Sequence, residues 1–287
     1  MNEEKTLSDL HVVIVGLGLM GGSLALALRG KVARLYGIDS DQETRRFALE
    51  GNVVDEVNSK ADTILPKADL VILATPICAI IEAIEDLPNL HPGSPMVMDI
   101  GSTKGEIVDA LGKLPARFDP IGGHPMCGKE RLSLANADAS IFRGAAFAFT
   151  PLQRTSPKAR MIAGELALEI GSRPLWLDPK THDQWAAATS HLPYLVASAL
   201  SLATPAETAP LVGSGFRSTT RVAAQKPIVF LDIIKTNQAN LINGISLFRK
   251  ELEAIEACLE NSDFDKLEVI LSHGSAHQRE LSATPRR

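Results

Sequence analysis

"HVVIVGLGLMGGSLALALRG", His11–Gly30, is the stretch that decides the fold. A short β-branched run, Val12–Val15, ends in glycines, and helix-forming residues follow as far as Gly30. An apolar run with no polar alternation reads as a strand buried on both faces, as in a parallel sheet. The glycines fit G-x-G-x-x-G at Gly16, Gly18 and Gly21. After a strand and at the start of a helix, this pattern is a dinucleotide fingerprint. Gly16 makes the tight turn, Gly18 lets the pyrophosphate approach the backbone, and Gly21 lets the helix pack on the strand. Leu19 and Met20 lie in the same segment, where the helix N-terminus receives the pyrophosphate.

Outward from this unit the alternation continues. "ARLYGIDSD", "ADLVILATP", "SPMVMDIGS" and "GAAFAFTP" read as strands, and "QETRRFALEGN", "ICAIIEAIEDL" and "KGEIVDALGKL" read as helices. The expected fold is an α/β, Rossmann-type, doubly wound parallel sheet with right-handed crossovers. From about Ser156 the apolar spacing changes to three and four, and the pattern is all-α. We expect a dinucleotide-binding domain at 1–153 and an all-helical domain at 154–287. The Ala- and Leu-rich helices have apolar surface to spare, so a homodimer through them is expected.

Composition narrows the function. The 287 residues are 45% hydrophobic and 22% charged, with a net charge of −5. That suits a globular protein and argues against a nucleic-acid partner, which calls for a basic excess. The acidic, polar start "MNEEKTLSDL" is unlike a signal peptide, and no apolar run is long enough to span a bilayer. Three scattered cysteines without metal-ligand spacing suit a reducing, cytoplasmic setting and no metal site. Cys127 reads as a small, partly buried residue rather than a reactive thiol.

The strand ends carry the candidate site. Asp39 follows the fingerprint by about 20 residues, where an acid bonds a ribose hydroxyl. A carboxylate there repels an extra phosphate, so NAD is expected over NADP, with Asp41 adding to the repulsion. Arg45 and Arg46 read as surface charges. Thr75 and Pro76, in "LATP", end another strand and are expected at the cofactor. "DIGSTK", Asp99–Lys104, brings Ser102 to the same rim, and "GGHPMCGKE", Gly122–Glu130, brings His124. An imidazole fixed beside a hydride acceptor is the usual base for an alcohol's proton. Activity is therefore expected to fall below about pH 6.5.

Taken in order, "GLGLMGGS", "DIGSTKGEI", "GGHPMCGKE", "SHLPY" and "GFRSTTRVA" resemble the prephenate/arogenate (cyclohexadienyl) dehydrogenase family of tyrosine biosynthesis. The resemblance implies oxidative decarboxylation of a cyclohexadienol with a nicotinamide cofactor and an all-helical dimerisation domain. It gives His124 as the group that takes the ring hydroxyl's proton and Ser102 as its partner on that hydroxyl. Arg221 then binds a substrate carboxylate, and Ser190 lies near the site. Many prephenate-using members carry a second histidine where this chain has Tyr194. A phenol donates a hydrogen bond there without positive charge, which opens the pocket to arogenate. An appended regulatory domain is not expected, and any feedback by tyrosine is expected at the active site.

Other residues read more plainly. His182 with Asp183 looks like a helix-start pair. His191 is either a packed histidine at the bend set by Pro193 or part of the site. Lys129 and Glu130 either close over the site or form a solvated pair. His11, His91, His273 and His277 read as surface, and Trp176 and Trp185 as core or interface. The rival readings are another two-domain dehydrogenase, acting on hydroxy acids or imines, and a non-catalytic dinucleotide-binding sensor.

Overall fold

The computed structural model describes residues 5–129, 133–225 and 227–283. Its first part alternates strand and helix: β1 (His11–Val15), α1 (Leu19–Leu28), β2 (Arg34–Ile38), α2 (Gln42–Glu50), β3 (Glu56–Asn58), α3 (Ala61–Ile64), β4 (Leu70–Leu73), α4 (Ile77–Leu90), β5 (Met96–Asp99), α5 (Gly105–Lys113) and β6 (Asp119–Pro125). Next come β7 (Ala146–Pro151), α6 (Pro157–Glu169) and β8 (Arg173–Trp176). The sheet order is β3-β2-β1-β4-β5-β6-β7-β8. From β3 to β6 all pairs are parallel, as a Rossmann fold requires.

Successive strand residues face opposite layers. Val12, Ile14, Leu70, Ile72, Met96 and Met98 join one buried cluster, with α1 and α6. Val13, Val71, Leu73 and Val97 join the other, with α4 and α5. Burial on both faces explains the lack of polar alternation in these strands.

Two features depart from the expected sheet. Strand β7 runs antiparallel to β6. Among the described residues their connection holds only short turns, at Leu134–Asn136 and Ala139–Phe142, and no crossover helix. The sheet also runs past residue 153, because α6 carries the chain back to β8, which pairs parallel to β7. The expected division at 153/154 thus falls inside the last β-α-β unit.

The helical part begins at α7 (Pro179–Ala186). One π turn (Ala187–His191) leads into α8 (Leu192–Ala203), followed by α9 (Ser214–Thr220) and α10 (Pro227–Thr236). Next come α11 (Gln238–Glu260) and α12 (Phe264–Ser282). By compactness the chain divides into Met1–Asn237 and Gln238–Arg287. Within the second unit, α11 and α12 pack on each other.

Several single-residue expectations change. His91 is buried, with Nε2 3.0 Å from the Ala68 carbonyl and Nδ1 accepting from the Gly93 amide. Trp176 and Trp185 are exposed in the chain, at 41% and 54%, and are not core.

A buried ion pair ties β5 to β6. Asp99 and Lys104 are both fully buried and in contact. Asp99 accepts the amides of Gly101 at 2.8 Å and Gly123 at 3.2 Å, and Lys104 Nζ donates to the Gly123 carbonyl at 2.5 Å. A side chain at residue 123 would meet the Asp99 carbonyl oxygen at 2.7 Å, so the strand-end turn needs glycine there. Removing one member of a buried pair strands the other charge and costs about 3–5 kcal/mol. Lys104→Met is expected to lose about that much in urea unfolding, and Lys104→Met with Asp99→Asn to recover much of it. A single-variant loss under about 1 kcal/mol would contradict this role.

Candidate active site

Two adjoining cavities lie at the carboxyl ends of the strands. The first, of about 470 Å³, is walled by Gly18, Leu19, Met20, Thr75, Pro76 and Ile228 among others. The second, of about 400 Å³, takes in His124, Ser190, His191, Arg221 and Phe230. Ser102 and Ile233 line both, so Ser102 stands where the two meet.

The first cavity fits a dinucleotide. Gly16 has φ +92° and its amide donates to Ile38. A Cβ on Gly16 would lie 2.8 Å from Thr75 Cγ2, and one on Gly21 would lie 1.9 Å from the Gly16 carbonyl oxygen. Both positions therefore exclude side chains, as a loop that closely cradles a pyrophosphate requires. Thr75 Oγ1 is buried without a partner on the same wall. A polar group in that state calls for a ligand or water. Asp39 stands at the end of β2 with its carboxylate tied to the loop, accepting from the Leu17 and Asp41 amides at 2.8 and 2.9 Å. Arg45 donates to the Asp39 and Ser40 carbonyls, and Arg46 pairs with Glu43 and Glu50.

The second cavity holds a chain of proton-carrying groups that begins at Asp183. Its two carboxylate oxygens accept the Lys104 amide at 2.7 Å and the Gly105 amide at 2.8 Å. These are orphan donors at the start of α5, a favoured seat for an anion. Asp183 Oδ1 also lies 2.8 Å from His182 Nδ1, and His182 Nε2 lies 2.9 Å from His124 Nδ1. A carboxylate only accepts, which assigns every proton along the chain. His182 donates from Nδ1 and accepts at Nε2, and His124 donates from Nδ1. That leaves His124 Nε2 as a bare acceptor at the cavity.

Asp183 also organises His191. The Asn237 amide donates to the Asp183 carbonyl at 2.8 Å and lies 3.3 Å from His191 Nδ1. The π turn, a frequent device at functional sites, sets Thr189, Ser190 and His191 on the cavity wall. The helix-start reading of His182–Asp183 does not hold: the N-cap of α7 is Asp178, its first turn contains no acidic residue, and the pair's contacts lie across the chain.

Burial holds His124 well below the ordinary histidine range, helped by His182, Lys104 and His191. The expected loss of activity at about pH 6.5 must therefore move to lower pH. Burial pushes His191 down to about 4, with His182 adding to the fall and Asp183 opposing it. Burial raises the Cys127 thiol to about 12, which fits the packed, unreactive reading.

Of the expected substrate residues, Ser102, His124, Ser190 and Arg221 come together on this cavity. Tyr194 does not. It is buried behind the wall and stacks on Phe230 with ring centroids 3.8 Å apart, and Phe230 lines the cavity in its place. Lys129 also lines it and pairs with Asp138 at 2.9 Å, while Glu130 lies outside the described residues.

A fingerprint groove joined through Ser102 to a cavity with a bare histidine nitrogen defines a nicotinamide-nucleotide dehydrogenase. Two family profiles match the chain: "prephenate dehydrogenase, nucleotide-binding domain" over 24–175 and "prephenate dehydrogenase, dimerization domain" over 178–273. The prephenate dehydrogenase of Bacillus subtilis is 32% identical over 270 residues, covering 89% of this chain and 72% of that protein. The Aquifex aeolicus prephenate dehydrogenase, solved with hydroxyphenyl propionate and NAD+, superposes with TM-score 0.88 at 29% identity, covering 96% of this chain and all of that one. The Synechocystis arogenate dehydrogenase gives TM-score 0.82 at 28% identity, over 94% and 99%. The chain belongs to the prephenate dehydrogenase family.

The two depressed histidines link stability to pH. An unfolded histidine takes up its proton near pH 6.5, whereas folded His191 waits until about 4. The unfolded chain thus binds more protons between these values, and stability falls as pH drops through that window. His191 alone accounts for about 2 kcal/mol by pH 5. Urea midpoints are expected to fall from pH 7 to 5, with a shallower slope in His191→Leu. Equal slopes in the two proteins would contradict the assignment.

Proposed function

We propose that the protein oxidatively decarboxylates prephenate, arogenate or both, yielding 4-hydroxyphenylpyruvate or tyrosine, with NAD+ as oxidant. The observation that carries this reading is the Asp183–His182–His124 chain, which leaves His124 Nε2 as an acceptor beside Ser102. Gly16, Gly18, Leu19, Met20, Gly21, Thr75 and Pro76 hold the dinucleotide, with Asp39 fixing the loop near the ribose. The strand-end acid and the engaged Arg45 and Arg46 favour NAD over NADP. When bound, NAD+ supplies the acceptor for the hydride leaving the carbinol carbon.

The chain's own groups do the rest. Ser102 and His124 hold the ring hydroxyl, and its proton passes to His124 Nε2. The His182–Asp183 arm steadies the imidazolium formed. The carbonyl left behind is an electron sink, the ring carboxylate departs as carbon dioxide, and its electron pair moves through the ring to that oxygen. The phenolate then regains the proton from His124. Arg221 offers a planar fork to a carboxylate, and Ser190 offers a hydroxyl at the same wall. The site thus works largely by positioning.

We also assign the protein as a homodimer through its helical part. On α11 and α12, Ile242, Leu259 and Leu271 are exposed at 61%, 55% and 58%. Among the described residues no helix is long and apolar enough to cross a membrane. Sedimentation equilibrium is expected to give a dimer, and a monomer at micromolar concentration would overturn that assignment.

Initial rates with prephenate and arogenate, each with NAD+ and NADP+, test the activity. Turnover of neither, with the cofactor bound, would refute the proposal. In the same assay His124→Asn is expected to bind NAD+ normally and to lose about 10²–10⁴ in kcat. The wild-type acid limb is expected well below pH 6.5, because His124 stays neutral to lower pH.

A further inference from the structure

We infer that Asp232 is the counter-charge to the nicotinamide ring, so that the protein holds NAD+ more tightly than NADH. The inference rests on the dinucleotide reading of the first cavity and says what sets its preference between the two redox forms. Among the described residues lining that cavity, Asp232 alone is ionisable; the others are apolar residues, glycines and the hydroxyls of Thr75 and Ser102. Asp232 stands on α10 directly before Ile233, which with Ser102 lines both cavities. This is the nicotinamide end, because the hydride must cross where the cavities meet. The pyrophosphate belongs with Gly18, Leu19 and Met20 at the start of α1, which do not reach the second cavity. The carboxylate therefore faces the cation of the dinucleotide rather than its anions.

The position of Asp232 is held by a short chain of hydroxyls. Thr236 Oγ1 donates to the Asp232 carbonyl at 2.8 Å, so the Thr103 hydroxyl, 2.8 Å from Thr236 Oγ1, is the donor to it. Thr103 follows Ser102 in the strand-end motif, which pins this turn of α10 to the loop between the cavities. The half-buried carboxylate keeps its charge. Its side-chain partner is the Cys78 thiol, which loss of solvent raises above its ordinary range, with the Asp232 charge and their hydrogen bond adding to the rise. A thiol is a weak, uncharged donor and neutralises nothing. Among the described residues no lysine or arginine pairs with Asp232.

A lone carboxylate in an apolar wall suits a ring whose charge changes. The nicotinamide is positive in NAD+ and neutral in NADH, whereas the pyrophosphate is the same in both. The apolar surroundings limit screening, so the attraction counts for more than it would in water. It favours the oxidised form and vanishes on reduction. Stabilising the oxidised ring works against hydride transfer, because it lowers the ground state more than the transition state. Aromatisation drives the proposed reaction strongly enough to tolerate that. In return NADH leaves more readily, and product release is a common limit on turnover.

Dissociation constants for NAD+ and NADH, measured by calorimetry without substrate, read the contact apart from turnover. Asp232→Asn keeps the size of the side chain and removes its charge. It is expected to weaken NAD+ by roughly three- to thirtyfold, between an exposed charge pair and a desolvated one, and to leave NADH within about twofold. Asp232→Glu, which keeps the charge, should retain most of the wild-type preference for NAD+. Equal weakening of the two forms in Asp232→Asn would make the residue a partner of the ribose hydroxyls or a tie between α10 and α4, and would overturn the inference. An unchanged ratio in Asp232→Asn, or a ratio in Asp232→Glu that falls as far as in Asp232→Asn, would overturn it too. A wild type that binds only NADP+ and NADPH gives the same ratio on that pair, whose ring charges are the same. A wild type that binds neither pair would sink the dinucleotide reading itself, and the role of Asp232 with it.

Discussion

The site depends on the seating of the Asp183 carboxylate on the first amides of α5. The Lys104 and Gly105 amides have no partner within their own helix, and Asp183 supplies one to each. That contact joins α7 to the carboxyl edge of the sheet, because α5 begins directly after the strand-end motif carrying Ser102. The side chain also orders the His182–His124 arm, and the backbone carbonyl of the same residue orders Asn237 and His191. One residue therefore gives the two cavity histidines opposite tautomers, one a bare acceptor and the other a donor.

The sheet supports this arrangement by steric exclusion as much as by attraction. Gly123 is pressed against the Asp99 carbonyl, and its amide and carbonyl are both held by the Asp99–Lys104 pair. The histidine that follows has little freedom to drift. This answers why an imidazole sits in so glycine-rich a turn: the backbone must pass too close to β5 for any side chain but hydrogen. Gly16 and Gly21 play the same part in the neighbouring groove, where the loop folds back on Thr75 and on itself.

What could be read in advance was local. The strand-turn-helix around Gly16, the buried parallel strands and the strand-end positions of Ser102 and His124 are patterns within a few residues of one another. What could not be read depends on pairings across the chain. Asp183 meets Lys104 across 79 positions and His182 meets His124 across 58. Nothing in "THDQW" announces those partners. Tyr194 was misplaced because a family position was assumed to keep its orientation. In this chain the ring turns behind Phe230 and stacks at an interplanar angle of 8°. Strand β8 was hidden by its four-residue length and by Pro174, both usual at a sheet edge.

The depressed proton affinity of His124 poses a chemical problem that the network resolves. A base that stays neutral to low pH is always ready, but it is intrinsically weak, and general-base catalysis favours a pKa near the working pH. Burial creates the readiness, with His182, Lys104 and His191 adding to it, since all oppose an imidazolium. The His182–Asp183 arm acts when the proton arrives, because His124 Nδ1–H already points at an imidazole backed by a carboxylate. Positive charge formed on His124 is thus met by preorganised acceptors. Lys104, the buried cation of the pair with Asp99, is one of the groups that oppose an imidazolium on His124, so an apolar residue in its place would leave the imidazole freer to protonate.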